Sequence, residues 1–406
     1  MRKLVGIVAA ALILCLLPAF PAGAAGNGVT VTVQDGYTCD YGMDIPFTRS
    51  PRTTDYTFAF YPGEAVSGAP EMTAAVEIAA TEQVSVHLPL RYDIAGPSTW
   101  TLRVTAHAAP GREAFDREAS AAKTFTTAPT CGCPAGTAGA YYVGSGTAAS
   151  PYQIGSQAQL AHMQSHLGSS LRLENDLALS GSWTSVGTFT GVFDGDGHTI
   201  SGLNSTTGGL FSVVSGSGAR VKNVIVRQPV ISASYYMQAP NKTHNYAAGG
   251  IVNRLSSGAQ LLDCTVSGVD ITADGTNSSY GETFSTTGAV AGWAEYSSLL
   301  RCKAVGGTVA GTSKSQTYLG GIVGLSYDCT FAECLSSAGF GNSTGPNGIA
   351  TGGIVGAEYY ASTLNIFQNC HWTNPAGAIG WGLGGGVNVT PNTGESFGNS
   401  QVASIE

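Results

Sequence analysis

One short pattern recurs five times in the second half of the sequence and constrains the fold more than any other feature. A pair of small residues is followed by apolar ones at Gly208-Gly209-Leu210-Phe211, Gly249-Gly250-Ile251-Val252, Gly288-Ala289-Val290-Ala291-Gly292, Gly320-Gly321-Ile322-Val323-Gly324 and Gly352-Gly353-Ile354-Val355-Gly356. Counted on the second residue of each pair, the steps are 41, 39, 32 and 32 residues. Repeats of this length are single supersecondary units that cannot bury their apolar side alone and must stack. The units carry a second short apolar run, such as Leu261-Leu262-Asp263-Cys264-Thr265-Val266, and several a third, such as Val269-Asp270-Ile271-Thr272. Three short strands per repeat, joined by turns, make one coil. Stacking the coils ~4.8 Å apart pairs each strand with its equivalent in the next coil, in parallel. The expected fold is therefore all-β: a parallel β-helix over residues 143–390, right-handed because parallel crossovers are. Gly209, Gly250, Gly288, Gly321 and Gly353 are expected at the starts of strands, where a side chain would clash.

Cysteines support this register. Cys264, Cys302 and Cys334 follow their small pair by 14, 13 and 13 residues, and Cys370 follows Gly353 by 17. Asn223 takes the equivalent place in the first unit. An internal column of small sulfur-bearing side chains is the expectation, with the thiols mostly reduced, although disulfides between neighbouring coils are sterically open to them. Cys329 lies off the column and is left to a local partner.

The N-terminal part has a different texture. Residues 1–25 have the features of a secretory signal: Arg2 and Lys3, an apolar run from Leu4 to Phe20, and the small residues Ala22-Gly23-Ala24. Over 27–128, alternation at period two in Val29–Val33, Tyr56–Phe60, Val84–Leu88 and Trp100–Val104 predicts a small β-sandwich. A Cys/Gly/Pro linker, 129–142, carries Cys131 and Cys133. Either could pair with Cys39 in a disulfide worth up to ~4 kcal/mol in the chain-entropy model. A metal site at Cys131-x-Cys133 is disfavoured by its short spacing and by the lack of a second ligand pair nearby in sequence. Ser156–Leu167 is the best helix, N-capped by Ser156, with Leu160, Met163 and Leu167 on one face, and is expected to cap the open end of the coils. Its His162 and His166, four apart, match a spacing zinc sites use, with a surface pair as the alternative. Residues 391–406 form a polar tail.

Two family resemblances add to this. Tyr56 to Pro129 resembles a pilin-type immunoglobulin-like domain in Asp55-Tyr56-Thr57-Phe58-Ala59-Phe60, Ala95-Gly96-Pro97-Ser98-Thr99-Trp100 and Lys123-Thr124-Phe125. That family's Lys–Asn isopeptide staple is not carried over, since Lys123 is the sole Lys between 26 and 150. Residues 143–370 resemble the GLUG-motif bacterial surface proteins. The match lies in Gly144-Ser145-Gly146-Thr147, Leu173-Glu174-Asn175-Asp176-Leu177, Phe189-Thr190-Gly191-Val192-Phe193-Asp194-Gly195-Asp196-Gly197, and the Gly-Gly-Ile-Val-Gly units. The resemblance implies a parallel β-helix of a secreted, cell-surface protein that binds glycans or extracellular proteins.

Little in the sequence points to chemistry. A net charge of −8 with 18 Lys+Arg excludes a basic stripe for nucleic acid. No membrane span is expected after the signal. Asp194-Gly195-Asp196-Gly197 could offer Ca²⁺ two carboxylates but suits a tight turn better. Asp263, Arg301 and Glu333 precede the cysteines in successive coils. They are expected as an outward, salt-linked stripe, with a polysaccharide-degrading carboxylate pair, Asp263 and Glu333, as the alternative. A structural subunit of a pilus or cell-wall assembly is a further alternative. No catalytic residue, metal or cofactor is expected. Tyr235-Tyr236, Trp293, Tyr296, Tyr359-Tyr360 and Trp372 are candidates for recognition or for packing.

Overall fold

The computed structural model describes most of residues 37–402, with gaps chiefly at 49–54, 78–82, 89–97, 126–128, 239–243, 360–364 and 390–395. The signal expected at 1–25 and the strand expected at Val29–Val33 lie outside the described residues.

The N-terminal part has two antiparallel sheets. One holds Tyr37–Cys39, Gly42–Thr48 and Gln83–Leu88. The other runs Met72–Glu77, Asp55–Pro62, Ser98–Ala106, Arg117–Phe125 in spatial order. Tyr56, Phe58, Phe60, Leu102 and Val104 are buried.

From residue 138 on, parallel sheets built from successive passes of the chain dominate. A typical coil runs His244–Gly249, Val252–Ser256, Gln260–Leu262 and Thr265–Asp274. The next runs Phe284–Gly288, Ala291–Glu295, Ser298–Leu300 and Lys303–Thr312. Each strand pairs in parallel with its equivalent. Val252 lies beside Ala291, Ala291 beside Val323, and Val323 beside Val355. That aligns Gly250, Ala289, Gly321 and Gly353. Gly288 belongs one place earlier, with Gly249, Gly320 and Gly352.

Four sheets are present where the repeat pattern predicted three strands per coil. The missed sheet holds His244–Gly249, Phe284–Gly288, Gln316–Gly320 and Ile349–Gly352. The small-residue pairs therefore sit at the corner between this sheet and the next, not at a strand start. A Cβ on Gly320 would lie 1.8 Å from the Val323 carbonyl oxygen, and one on Gly321 would lie 2.1 Å from that of Gly353. The missed strands are rich in Ser and Thr, yet buried. Their hydroxyls donate locally: Ser285 to the Ala273 carbonyl at 2.8 Å, Thr287 to Ala310 at 2.6 Å, Thr317 to Thr344 at 2.7 Å. A satisfied hydroxyl removes most of the cost of burying it.

This fourth sheet lies against the outer face of its neighbour. Ala247, Tyr318 and Ala350 pack on Trp293, Leu325 and Ala357 in a second apolar layer outside the coil interior. The final glycine of the motif permits the contact: a Cβ on Gly324 would sit 2.5 Å from the Thr287 nitrogen, and one on Gly356 2.6 Å from the Leu319 nitrogen.

The stack opens at Tyr152–Ile154. Beside it lies a helix over Gln157–His162, continued by a 3₁₀ turn at Met163–Ser165. This is shorter than the span expected from Ser156 to Leu167. Ser156 caps it by accepting from the Gln159 nitrogen at 3.2 Å, and Leu160 and Met163 are fully buried. At the other end the coils pass residue 390. Ser396–Phe397 and Ser400–Gln401 pair in parallel with Phe367–Gln368 and His371–Trp372. Backbone pairing recruits a segment whose side chains gave no strand signal.

Candidate functional site

Two corners of each coil are turned by residues in the left-handed backbone region. At one corner stand Asn223, Asp263, Arg301, Glu333 and Asn369, with φ of 53°, 54°, 53°, 54° and 51°. They align coil upon coil, because Lys222 pairs with Leu262, Leu300 with Ala332, and Ala332 with Gln368. This corrects the place expected for Asn223: it belongs to the corner column, and Val224 occupies the cysteine column. Left-handed φ costs ~1–2 kcal/mol for an ordinary side chain, so Arg301 and Glu333 are held there by the pairing on either side.

The neighbouring outward column is Thr265, Lys303, Leu335 and His371. Together the two columns line an open groove of about 580 Å³, formed by Asp263, Thr265, Arg301, Lys303, Glu333, Leu335, Asn369 and His371. Arg301 forks onto Asp263, with Nε donating to Oδ1 at 2.6 Å and the terminal nitrogen to Oδ2 at 2.7 Å. The guanidinium holds the Asp263 carboxyl below its ordinary pKa, while Arg301 is raised by the same bond. Asp263 is thus a fixed anion, unsuited to act as a general acid near neutral pH.

Inside the same turn lie the cysteines. Cys264, Cys302, Cys334 and Cys370 form one buried column with no disulfide among them. Each thiol donates to a carbonyl of the preceding coil: Cys264 to Val221 at 3.4 Å, Cys302 to Leu261 at 3.6 Å, Cys334 to Leu299 at 3.4 Å, Cys370 to Phe331 at 3.6 Å. Hydrogen bonding to Cys264 and Cys334, together with burial, pushes the Cys302 thiol well above its usual pKa. Off the column, Cys329 accepts no disulfide partner either; burial lifts it to about 12, and its backbone nitrogen donates to Asn365. The Cys39 side chain lies outside the described residues, and with it the link expected to Cys131 or Cys133.

The other sequence candidates divide clearly. Asp194 is bound by Lys222 at 2.7 Å and by the Asn223 amide at 3.0 Å, and Asp196 and Gly197 turn with φ of 49° and 80°. The Asp-Gly-Asp-Gly segment is a turn tied by an ion pair. Trp293 and Trp372 are buried. Tyr236, Tyr280 and Tyr296 are exposed. Tyr236 and Tyr280 stack in parallel at 5.5 Å, and His244 lies 3.4 Å from the Tyr280 ring centre. This aromatic surface was only partly visible in sequence, because Tyr280 lies in the loop before Phe284 while His244 opens the strand His244–Gly249. Tyr359 and Tyr360 have side chains outside the described residues. Among the described residues, no helix is long and apolar enough to cross a membrane.

No family model and no curated protein matches the sequence. Among solved structures, the chain is similar to one titled "IgA1 Protease", at 12% identity and a TM-score of 0.40. The match covers 85% of this chain and 26% of that one, so the chain spans about a quarter of its length. At that score the likeness bears on neither activity nor substrate.

Proposed function

We propose that the chain is an exported surface protein whose coils form a right-handed parallel β-helix, preceded by an immunoglobulin-like sandwich, and that it binds a glycan rather than transforming one. One observation carries this reading: the corner groove is a regular double row of side chains, polar but for Leu335, with Arg301 fixed on Asp263. Successive side chains along each row are one coil apart, ~4.8 Å, close to the spacing at which a sugar chain offers successive hydroxyls. Its central cation is already paired with Asp263, which favours neutral hydrogen-bonding ligands over a free anion. The exposed tyrosine stack supplies the flat apolar surface that sugar rings take. The GLUG-type resemblance agrees with this role.

A glycan array with the full chain tests it. Binding that falls at least tenfold in Arg301→Ala and in Lys303→Ala supports the groove. Release of reducing or unsaturated sugar ends, lost in Glu333→Gln, would replace binding with catalysis. An array on which the wild type holds nothing refutes the reading.

A further inference from the structure

The N-terminal part carries a hydrogen-bonded line of three side chains that distance along the chain conceals. The Thr57 hydroxyl lies 2.6 Å from His107 Nε2, and His107 Nδ1 lies 2.9 Å from Asp116 Oδ2. We propose that Thr57, His107 and Asp116 form a relay that makes the Thr57 hydroxyl a nucleophile for acyl transfer from small carboxylic esters.

Strand geometry sets the first contact. Tyr56 and Phe58 are buried on one face of the four-stranded sheet, and alternation puts Thr57 on the other. Thr57 pairs with Thr105 on the adjacent strand, so His107, two residues further on, shares that face. The His107 backbone nitrogen donates to the Asp55 carbonyl at 2.9 Å, which holds the imidazole diagonal to Thr57. A turn sets the second contact. The chain leaves the sheet at Ala108 and returns at Arg117, which pairs with Ala106, so Asp116 comes back opposite His107. Asp116 Oδ1 accepts from the Ala108 nitrogen at 2.7 Å, and the Asp116 nitrogen donates to the Glu113 carbonyl at 3.0 Å.

The carboxylate fixes the proton positions. Donation from the Ala108 backbone and from His107 holds the Asp116 carboxyl below its ordinary pKa, so near neutral pH it is an anion and only accepts. His107 Nδ1 is then the donor, and in the neutral ring Nε2 keeps the lone pair that takes the Thr57 proton. A hydroxyl bound to a base that a third group orients is the arrangement of covalent acyl transfer, recognised by geometry and role rather than by place in the chain. The His107 and Asp116 side chains are 37% and 22% exposed, so the relay is open to a dissolved ester. The Thr57 methyl group crowds the attacking oxygen, which restricts the acyl group to a small one such as acetyl.

The step balances without a further reactant. Thr57 Oγ1 bonds to the ester carbonyl carbon as its proton passes to His107 Nε2. The adduct collapses by breaking the bond to the leaving oxygen, which takes that proton from Nε2. The products are an acyl-Thr57 ester and an alcohol. Water attacking by the same route releases the acid and restores the hydroxyl. Thr57 and His107 are the catalytic residues, and Asp116 is a positioning residue.

The test incubates the full chain with p-nitrophenyl acetate near neutral pH, follows p-nitrophenol release, and locates acetyl groups by peptide mass mapping. Acetylation at Thr57 is expected. Thr105 is an internal control, since its hydroxyl on the same face donates to the Glu118 carboxylate at 3.3 Å rather than to an imidazole. A general base of this kind contributes about 100-fold or more, so Thr57→Val and His107→Ala should each lower the rate of the Thr57-dependent release by that factor. Thr57→Ser should keep it. Asp116→Asn should lose it with the circular dichroism spectrum unchanged, Asp116→Glu should recover part of it, and Glu118→Gln should leave it as in the wild type. If the loss-of-function variants misfold, the wild-type map still decides. Wild-type chain acetylated no faster at Thr57 than at Thr105 overturns the proposal, as does an unchanged rate in folded Thr57→Val or His107→Ala.

Discussion

Replacing Gly324 by Ala tests how the two outer sheets are held together. The added Cβ would stand 2.5 Å from the Thr287 nitrogen, 2.7 Å from the Thr286 carbonyl carbon and 2.8 Å from the Gly292 oxygen. All three are backbone atoms inside parallel sheets, so none can rotate away. Reaching ordinary contact requires the sheets to part by about 1 Å, and a gap of that size forfeits about a quarter to a half of the dispersion well. The loss falls on Trp293, Tyr318, Leu325 and Ala357, which fill the layer. Overpacking of this kind costs about 1–3 kcal/mol. For a folded unit of this size that lowers the melting temperature by roughly 2–12 °C, at 2–4 °C per kcal/mol. Gly281→Ala is the control, since a Cβ there meets nothing within 4 Å. Thermal denaturation is followed by circular dichroism. Tryptophan emission is followed alongside, because Trp293 is buried in the strained layer. Equal melting temperatures for Gly324→Ala and Gly281→Ala would refute the account of why the motif ends in glycine.

Two further outcomes follow from the same geometry. Burial pushes the Asp194 carboxyl up, but Lys222 and Asn223 hold it below its ordinary pKa. A depressed folded pKa contributes stability above the unfolded value of ~3.9 that is lost as pH falls through the folded one. Asp194→Asn should therefore be less stable at pH 7 and lose less on acidification, in urea titrations at pH 7 and pH 3; parallel losses would contradict the ion-pair assignment. Cys264, Cys302, Cys334 and Cys370 should resist iodoacetamide in the native chain and react only on unfolding, as read by mass spectrometry. Native labelling of Cys302 would place it outside the interior.

The period of the Gly-Gly repeat and the cysteine spacing were legible as stacked coils because both follow from local chemistry: small residues where chain segments crowd, small thiols where side chains stack. Residues in the corner column were harder to read. Asn223 looked equivalent to the cysteines by counting, yet a one-residue difference in turn length places Val224 there. Such a difference costs nothing in sequence, and only paired backbones reveal it. The Ser/Thr-rich fourth sheet was invisible for another reason. Its hydroxyls are buried against carbonyls 12 to 27 residues away along the chain, and hydropathy cannot report a hydrogen bond that does not yet exist.

The sequence by itself determined the repeating unit, the parallel register and the capping helix, since periodicity and capping are properties of neighbours along the chain. Only the tertiary structure decided the second apolar layer around Trp293 and the paired charges of the groove. Each of these depends on groups some 30 or more residues apart in at least one pairing, and their approach is set by coil stacking rather than by any local preference.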